Sequence, residues 1–294
     1  MNSLPGQYNK TRIAPTPSGF LHLGNIVSFS ITAALAKESG AKILLRIDDL
    51  DQPRVNKDYL QDIFDTLNFL EIPWDEGPKD IKEFEADYSQ RHRMAAYQDA
   101  IDQLIDHKLV FACTCSRKQL NEDQSCNCLH LKIPTDEKNA SLRLVTDNTT
   151  ELKIKDYNGQ TIRTILPVEM HNFVVRRKDG LPAYQLTSVV DDLFYGVDLV
   201  VRGEDLWPST LAQHQLALAL GHSSFGDITF YHHPLLMETS GKKLSKSAGA
   251  TSVRYLRKSG KTSTDIYKLI GDMLGSNETI NNWQQLAEVI INRR

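Results

Sequence analysis

At 294 residues the chain exceeds one typical domain, so we expect a large core with an insertion or appendage. Charged residues make up 24% and hydrophobic residues 40%, an ordinary composition for a soluble globular protein. The net charge of -3 argues against a protein that coats nucleic acid nonspecifically. No apolar run approaches the roughly 20 residues that span a membrane, and residues 1–10 lack the apolar core of a signal peptide. We therefore expect a cytoplasmic protein with no membrane partner, and a monomer.

The stretch 12–25 predicts a strand that ends in a turn and continues into a helix. Pro15 and Pro17 oppose a helix in the first part of the stretch, and apolar residues recur through 26–36. The helix should begin near Gly24, where its unpaired N–H groups would suit a phosphate that His22 could also contact. Taken alone, the pattern is more typical of an ordinary corner with a surface histidine.

The next segment completes a strand–helix–strand unit and indicates a parallel sheet. The helix should run from about Gly24 to Lys37 and stop at Gly40, and 41–47 reads as a buried strand. Three aspartates follow within 48–51. Because ligands of open α/β sheets bind beyond the carboxyl ends of the strands, these carboxylates should lie near the turn at His22. A solvated charged loop is the alternative.

Further elements follow from apolar spacing and turn residues. Amphipathic helices are expected over 55–70 and 89–107, and two more around 265–274 and 283–292. Short strands over 142–145, 152–155 and 161–166, with a turn at Asn158-Gly159, predict a small, mostly antiparallel subdomain that joins the cysteine segment. Strands over 173–177 and 199–202 return to the α/β pattern, and a helix over 209–220 should be capped by Ser209 and end at Gly221.

All four cysteines lie in one short segment with the spacing Cys-x-Cys-x10-Cys-x-Cys. Four thiolates so close together can form a tetrahedral structural zinc site. Without a secretion signal, disulfides are the weaker explanation. The spacing is not that of a common zinc ribbon, so clustered free thiols are the alternative. The four residues are Cys113, Cys115, Cys126 and Cys128.

Three basic features lie further along the chain. The segment 241–247 is polar and rich in lysine, and its lysines could neutralise the charge of a leaving pyrophosphate, although a solvated loop is more common for an isolated run. Arg202 stands at the carboxyl end of a buried strand, where its guanidinium suits a carboxylate. A run at 254–261 could touch phosphates or form a solvated helix approach.

Together, these motifs resemble those of a known enzyme family. Phe20-Leu-His-Leu-Gly-Asn25 and Lys243-Leu-Ser-Lys-Ser247 resemble the HIGH and KMSKS motifs of class I aminoacyl-tRNA synthetases. Five intervening motifs are similar to the catalytic core of glutamyl-tRNA synthetases: Arg12-Ile-Ala-Pro-Thr-Pro-Ser-Gly19, Leu44-Leu-Arg-Ile-Asp-Asp-Leu-Asp51, Val174-Val-Arg-Arg-Lys-Asp-Gly180, Val189-Val-Asp-Asp192 and Val200-Val-Arg-Gly-Glu-Asp205. The similarity covers roughly residues 10–247.

The resemblance implies a fold and a division into domains. The expected fold is α/β, with the Rossmann-like parallel sheet of a class I synthetase over 1–108 and 167–247. A zinc-containing, partly antiparallel subdomain is inserted at 109–166, and 248–294 form a short helical extension. Full glutamyl-tRNA synthetases carry a large anticodon-binding region after the second motif. The chain therefore resembles the truncated glutamyl-queuosine tRNA(Asp) synthetases, which attach glutamate to the queuosine base at the wobble position of tRNA(Asp).

The resemblance also assigns residues. It places glutamate recognition on Arg12, Ala14, Thr16, Asp48, Tyr184 and Arg202, and ATP binding on His22, Gly24, Asn25, Lys243 and Lys246. His22 and Lys246 would be the catalytic pair, and Mg²⁺ would arrive with ATP.

Several positions depart from the family pattern. Thr16 and Asp48 replace the more usual serine and glutamate, and Asn25 replaces a second histidine. The family's usual zinc-binding tyrosine is missing, so Cys113 and Cys115 are the safer ligands, while Cys126, Cys128 or His130 could complete the shell. An ordinary truncated glutamyl-tRNA synthetase and a catalytically silent tRNA-binding paralogue are the competing functions.

Overall fold

The computed structural model describes residues 7–50, 55–116, 119, 126–236 and 252–292. Packing divides the chain into two compact units. The first comprises Met1–His92, Val197–Asp205 and Phe230–Arg294, and the second comprises Arg93–Gly196 and Leu206–Thr229. The domain bounds expected from the sequence, with an insertion at 109–166, stay a prediction.

Nine strands lie in the described part of the chain. They are β1 (Lys10–Ile13), β2 (Lys42–Leu45), β3 (Val110–Cys113), β4 (Ser141–Leu144), β5 (Leu152–Asp156), β6 (Thr161–Thr164), β7 (Val174–Arg176), β8 (Leu199–Gly203) and β9 (Thr229–His233).

The α-helices of the described residues are α1 (Leu23–Ser39), α2 (Lys57–Phe69), α3 (Ile81–Glu83), α4 (Met94–Asp106), α5 (Cys128–Leu131), α6 (Tyr184–Phe194), α7 (Trp207–Ala219), α8 (Val253–Lys258), α9 (Ser263–Met273) and α10 (Trp283–Ile291). Six of them overlap segments that were predicted to be helical, and α3, α5, α6 and α8 were not predicted. None of these helices is long and apolar enough to cross a membrane.

The first unit is organised on a sheet in which β1 is central. Four neighbouring strands of this sheet lie side by side in the order β2, β1, β8 and β9. Strand β1 is parallel to both β2 and β8. The ladder between β1 and β2 continues beyond the strand ends, because the Arg46 N–H donates to the Ile13 carbonyl and the Asp48 N–H to the Pro15 carbonyl. These bonds fix the loops at the carboxyl edge of the sheet, where the α/β pattern predicts ligand binding.

Helix α1 connects β1 to β2 and is buried on most of its circumference. It packs against β1 and β8 on one side and against α10 on another, which is why its apolar residues are not confined to one stripe. The predicted stop at Gly40 is confirmed, since this residue caps the helix with a φ of 78° that glycine adopts without strain.

The second unit contains an antiparallel sheet with the order β3, β4 and β7, and a hairpin of β5 and β6. The Asn158-Gly159 turn is confirmed, with Gly159 at a φ of 77°. The predicted antiparallel subdomain is divided differently, however. Strand β4 pairs with β3, which carries Cys113, whereas β5 and β6 form their hairpin outside that three-stranded sheet.

Helix α7 begins earlier than the sequence predicts. Its N-cap is Leu206 and a proline occupies the first turn, so the prediction that Ser209 caps this helix is wrong. Proline is well suited to the first turn because its fixed φ is helical and its missing N–H would have no intrahelical acceptor there. Ser209 lies inside the helix, where its hydroxyl accepts a hydrogen bond from Gln185.

A buried ion pair lies in the core of the second unit. Asp191 accepts two hydrogen bonds from Arg93, at 2.7 and 3.2 Å, and one from the Tyr97 hydroxyl at 2.6 Å. Arg93 also lies over the Tyr195 ring. The Val189-Val-Asp-Asp192 motif thus supplies, through Asp191, an anchor between α4 and α6.

Candidate active site and cysteine cluster

The turn before α1 holds His22 at the entry of the helix. His22 is the N-cap residue in an extended conformation, and its backbone N–H donates to Asn25 Oδ1 at 3.0 Å. The helix therefore begins one residue before the predicted start. Asn25 has a capping role that the sequence reading missed, although a polar residue three positions after a cap is a recognised signal.

The His22 ring packs closely against Gly24, where the absence of a side chain leaves room for it. A Cβ at position 24 would stand 3.1 Å from Cε1 and 3.2 Å from Nδ1 of the imidazole, closer than most side-chain contacts. The ring therefore lies against the backbone of the first helical turn, beside the N–H groups that have no partner inside the helix. An imidazole and these N–H groups together form a suitable environment for a phosphate.

Two buried arginines lie on the adjacent strands β1 and β8. Arg12 and Arg202 are only 7% and 4% exposed, and Arg12 Nη1 donates to the Val201 carbonyl at 3.3 Å. The Arg202 guanidinium lies 5.0 Å from the centre of the Phe230 ring, which supports it by a cation–π contact. Two guanidinium groups on adjoining strands favour binding of an anion with carboxylate geometry.

The predicted glutamate-binding residue Asp48 has a partner that the sequence reading did not identify. Arg46 donates from Nε to Oδ1 at 2.8 Å and from Nη2 to Oδ2 at 3.1 Å, and both side chains are buried. The signal was available, because Arg46 and Asp48 stand two residues apart where the chain leaves a strand, and such residues share a face. This pair holds the carboxylate at the edge of the sheet.

The other acidic and loop residues of this edge differ in their contacts. Asp49 accepts from the Ser89 hydroxyl and the Gln90 N–H, which makes it an anchor for the 3-10 helix Gln90–Arg93. Ala14 is half-buried and Thr16 is exposed in the loop after β1.

The remaining predicted site residues lie elsewhere or outside the described part. Tyr184 belongs to the second unit, where it is the first residue of α6 and 45% exposed. Lys243 and Lys246 lie outside the described residues. Ser252, the first described residue after these lysines, forms an antiparallel bridge with His22.

The four cysteines converge in the second unit. Their sulfur atoms lie within 4.8 Å of one another, and the shortest separations are 3.5 Å, from Cys113 to Cys126 and from Cys115 to Cys128. Four thiolates about 2.3 Å from one zinc ion would stand about 3.8 Å apart, so the cluster fits a tetrahedral site. His130 is not one of its members, so the residues that the structure brings together as possible metal ligands are the four cysteines.

The surroundings of the sulfurs affect their protonation in opposite ways. Burial raises the pKa of Cys126 to about 12. Burial also acts on Cys128, but a hydrogen bond from the Thr114 backbone and the neighbouring thiols outweighs it and lowers the pKa of Cys128 to about 7. Since the thiolate is the metal ligand, a bound cation would favour loss of the protons from these sulfurs.

Comparison with known proteins agrees with this geometry. The family described as "tRNA synthetases class I (E and Q), catalytic domain" matches residues 9–293. The Glutamyl-Q tRNA(Asp) synthetase of Nocardia farcinica is 33% identical over 90% of this chain and 84% of its own length. Glutamate–tRNA ligase 2 of Nitrosococcus oceani is 34% identical over 85% of this chain and 56% of its own length.

A solved structure shows the same fold. Glutamate-tRNA synthetase from Elizabethkingia anophelis superposes with a TM-score of 0.72 at 21% identity, over 96% of this chain and 65% of that one. The chain belongs to the catalytic-domain family of class I tRNA synthetases for glutamate and glutamine. It spans little more than half the length of the glutamate–tRNA ligases that it matches. The α/β fold expected for this family is confirmed.

Proposed function

We propose that this protein activates L-glutamate with ATP and transfers the glutamyl group to the queuosine base at the wobble position of tRNA(Asp). The observation that carries the proposal is the placement of Arg12 and Arg202, both buried, on adjacent strands of a class I synthetase fold. Relatives named Glutamyl-Q tRNA(Asp) synthetase, matched over most of their own length, support queuosine in tRNA(Asp) as the acceptor of the glutamyl group.

Glutamate carries two carboxylates and one ammonium group, and the site offers complementary charges. Arg12 and Arg202 would hold the carboxylates, while Asp48, already oriented by Arg46, would attract the ammonium. Tyr184, Ala14 and Thr16 are proposed to complete the substrate contacts. A buried arginine pair distinguishes a diacid from a neutral amino acid, because a neutral amino acid would leave one of the two guanidinium groups without a carboxylate partner.

ATP would bind at the start of α1. His22 and the N–H groups after Gly24 would hold its phosphates, with Mg²⁺ bound to the nucleotide. The glutamate carboxylate would attack the α-phosphorus, forming glutamyl-adenylate and releasing pyrophosphate. Lys246, assisted by Lys243, would stabilise the charge that grows in this step. A nucleophile on the modified base would then take the glutamyl group and release AMP.

Zinc is proposed as a structural ion of the four-cysteine cluster. Cys113, Cys115, Cys126 and Cys128 would hold it as thiolates. When bound, it would link β3 to α5 and contribute folding energy to this part of the second unit rather than take part in adenylation.

One experiment tests the proposed reaction. The protein is incubated with ATP and labelled glutamate in the presence of queuosine-containing tRNA(Asp), queuosine-free tRNA(Asp) or tRNA(Glu). We expect product with the first RNA alone, and the label should survive removal of the terminal adenosine. Labelling of tRNA(Glu) would overturn the proposal in favour of ordinary acceptor charging, and absence of glutamate-dependent pyrophosphate exchange would indicate a silent paralogue.

A further inference from the structure

Three elements of the first unit meet at Leu21, the residue directly before His22. The Leu21 N–H donates to Asp62 Oδ2 on α2 at 3.1 Å. The Leu21 carbonyl accepts from the Val253 N–H on α8 at 2.8 Å. Leu21, Asp62 and Val253 are 3%, 1% and 0% exposed, so water does not compete for these bonds. The two polar backbone groups of one residue are thus bound to two different helices.

Asp62 also faces the basic residues of α8. Arg257 Nη2 lies 3.9 Å from Asp62 Oδ1 and 3.2 Å from Asp65 Oδ2. Arg254 lies 4.4 Å above the centre of the Phe20 ring and 3.8 Å from the Asp58 carboxylate. Arg257 therefore contacts α2, and Arg254 contacts both α2 and the Phe20 ring of the turn. That this basic run touches phosphates stays a prediction.

From these contacts we propose that Asp62 is a positioning residue for nucleotide binding, which acts through Leu21 on the His22 turn. This inference rests on the proposed function, in which the turn binds the phosphates of ATP. A carboxylate is costly to bury without a compensating bond, so its retention at 1% exposure between α2 and the turn indicates a specific acceptor role. Burial raises the pKa of Asp62, and the Leu21 N–H and Arg257 oppose this effect.

The mechanism is geometric. Without an acceptor at position 62, the Leu21 N–H would remain buried and unpaired, and the turn would move to find water or another partner. His22 follows Leu21 directly, and its ring stands against Gly24 with little clearance. A shift of the turn would therefore displace the imidazole from the helix N-terminus and weaken phosphate binding. Arg12 and Asp48 lie on the neighbouring strands and loops, so glutamate binding should change little.

The test compares Asp62→Leu, which puts a larger apolar side chain without an acceptor at this position, with Asp62→Asn, which keeps both the shape and an acceptor oxygen. ATP and glutamate affinities are measured separately by titration calorimetry, together with glutamate-dependent pyrophosphate exchange. We expect Asp62→Leu to weaken ATP binding about tenfold, the effect of losing one buried hydrogen bond, with glutamate affinity within about twofold. Asp62→Asn should recover ATP affinity to within about threefold. Asp65→Asn, which removes the exposed partner of Arg257, is the matched control.

A second variant removes the hydrogen bond between α8 and Leu21. Its result does not depend on whether Asp62→Leu folds. Val253→Pro removes the N–H that donates to Leu21, and the position tolerates proline because it is the first residue of α8. Ser252 before it has φ -72° and ψ 140°, a conformation that proline accepts in its predecessor. We expect Val253→Pro to weaken ATP binding selectively as well.

The possible outcomes separate the two proposals. Unchanged ATP affinity in Asp62→Leu and Val253→Pro, or equal losses for ATP and glutamate, would overturn the positioning role of Asp62. A wild-type protein that binds ATP but shows no glutamate-dependent exchange would overturn the proposed function while the effect of Asp62 on ATP affinity could still be measured. Failure of Asp62→Asn to recover affinity would contradict the acceptor role.

Discussion

Arg46 holds Asp48 by two hydrogen bonds, from Nε at 2.8 Å and from Nη2 at 3.1 Å, at the edge of the sheet where β1 and β2 end. Because both carboxylate oxygens accept from one guanidinium group, Arg46 fixes the direction of the Asp48 side chain. This pair leads to a prediction about substrate binding.

Asp48→Asn should raise the KM for glutamate about tenfold or more, because the amide keeps the shape of the side chain but loses the charge that would attract the ammonium. The KM for ATP should stay within about twofold, and pyrophosphate exchange measures both constants. An equal rise in the two constants would show a general disturbance of the site instead.

Gly24→Ala should separate activity from stability. The added methyl would meet the His22 ring at about 3.1 Å, so ATP affinity should fall, whereas alanine in a first helical turn should stabilise the fold by up to about 0.5–1 kcal/mol. Calorimetric titration with ATP and thermal unfolding measure the two effects. Gly19→Ala is the control: apart from its two chain neighbours, a Cβ at position 19 would meet no heavy atom of the described residues within 4 Å, so ATP affinity should not change. Retained ATP affinity in Gly24→Ala would argue against His22 as a phosphate contact.

Metal content is expected to depend on every cysteine of the cluster and not on His130. Purified protein should contain close to one zinc ion per chain, and Cys126→Ser should lower the affinity for zinc at least tenfold, because one of four thiolates is lost. Mass-spectrometric metal analysis after dialysis against a weak chelator gives the content. His130→Ala serves as the control and should retain the ion. Zinc-free wild-type protein prepared without chelator would refute the structural zinc.

The buried Arg93–Asp191 pair should contribute far more to stability than an exposed pair. Asp191→Ala leaves the Arg93 guanidinium and the Tyr97 hydroxyl buried without their acceptor, so the free energy of unfolding should fall by about 3–5 kcal/mol. Asp227→Ala removes the exposed partner of Lys155 and should cost less than about 1 kcal/mol. Urea denaturation compares the two variants, and similar losses would contradict the assignment of Asp191 as a core anchor.

Asp62 should also affect how stability depends on pH. Its pKa in the folded protein lies above its ordinary value because of burial. In the unfolded chain the group therefore loses its proton at lower pH, so its contribution to stability falls as the pH rises from about 4 through the folded pKa. Asp62→Asn should abolish this fall, and the difference in Tm between the variant and the wild type should grow in favour of the variant over that range. A difference that is constant with pH would mean that Asp62 titrates normally.

Local sequence signals predicted much of the first unit. The prolines of the opening stretch, the glycine at position 40 and the apolar run between them located β1, α1 and β2 within a few residues. These signals are sufficient because each reflects a constraint on the backbone of nearby residues. The start of α7 was misplaced because proline and serine both suit a first turn, and the sequence alone did not show that Pro208 had already begun the helix.

Contacts between distant segments were not predictable in this way. The partnership of Asp62 with Leu21, and of Asp191 with Arg93, depends on how helices pack, and no spacing in the sequence encodes it. The cysteine cluster is an intermediate case. Its composition predicted a metal site, but which of Cys126, Cys128 and His130 lie beside Cys113 and Cys115 depends on the fold, which brings the two cysteines there.

The packing of α10 against α1 has a consequence for the order in which the protein acquires its structure. During synthesis, α1 leaves the ribosome long before α10, the helix that packs against it. Strand β8, the other partner of α1, is also synthesised much later. The apolar surface of α1 therefore stays uncovered until these later segments have been made, and such nonlocal contacts slow folding. We infer that the turn at His22 reaches its native environment only after β8 and α10, which lie later in the chain, have been synthesised.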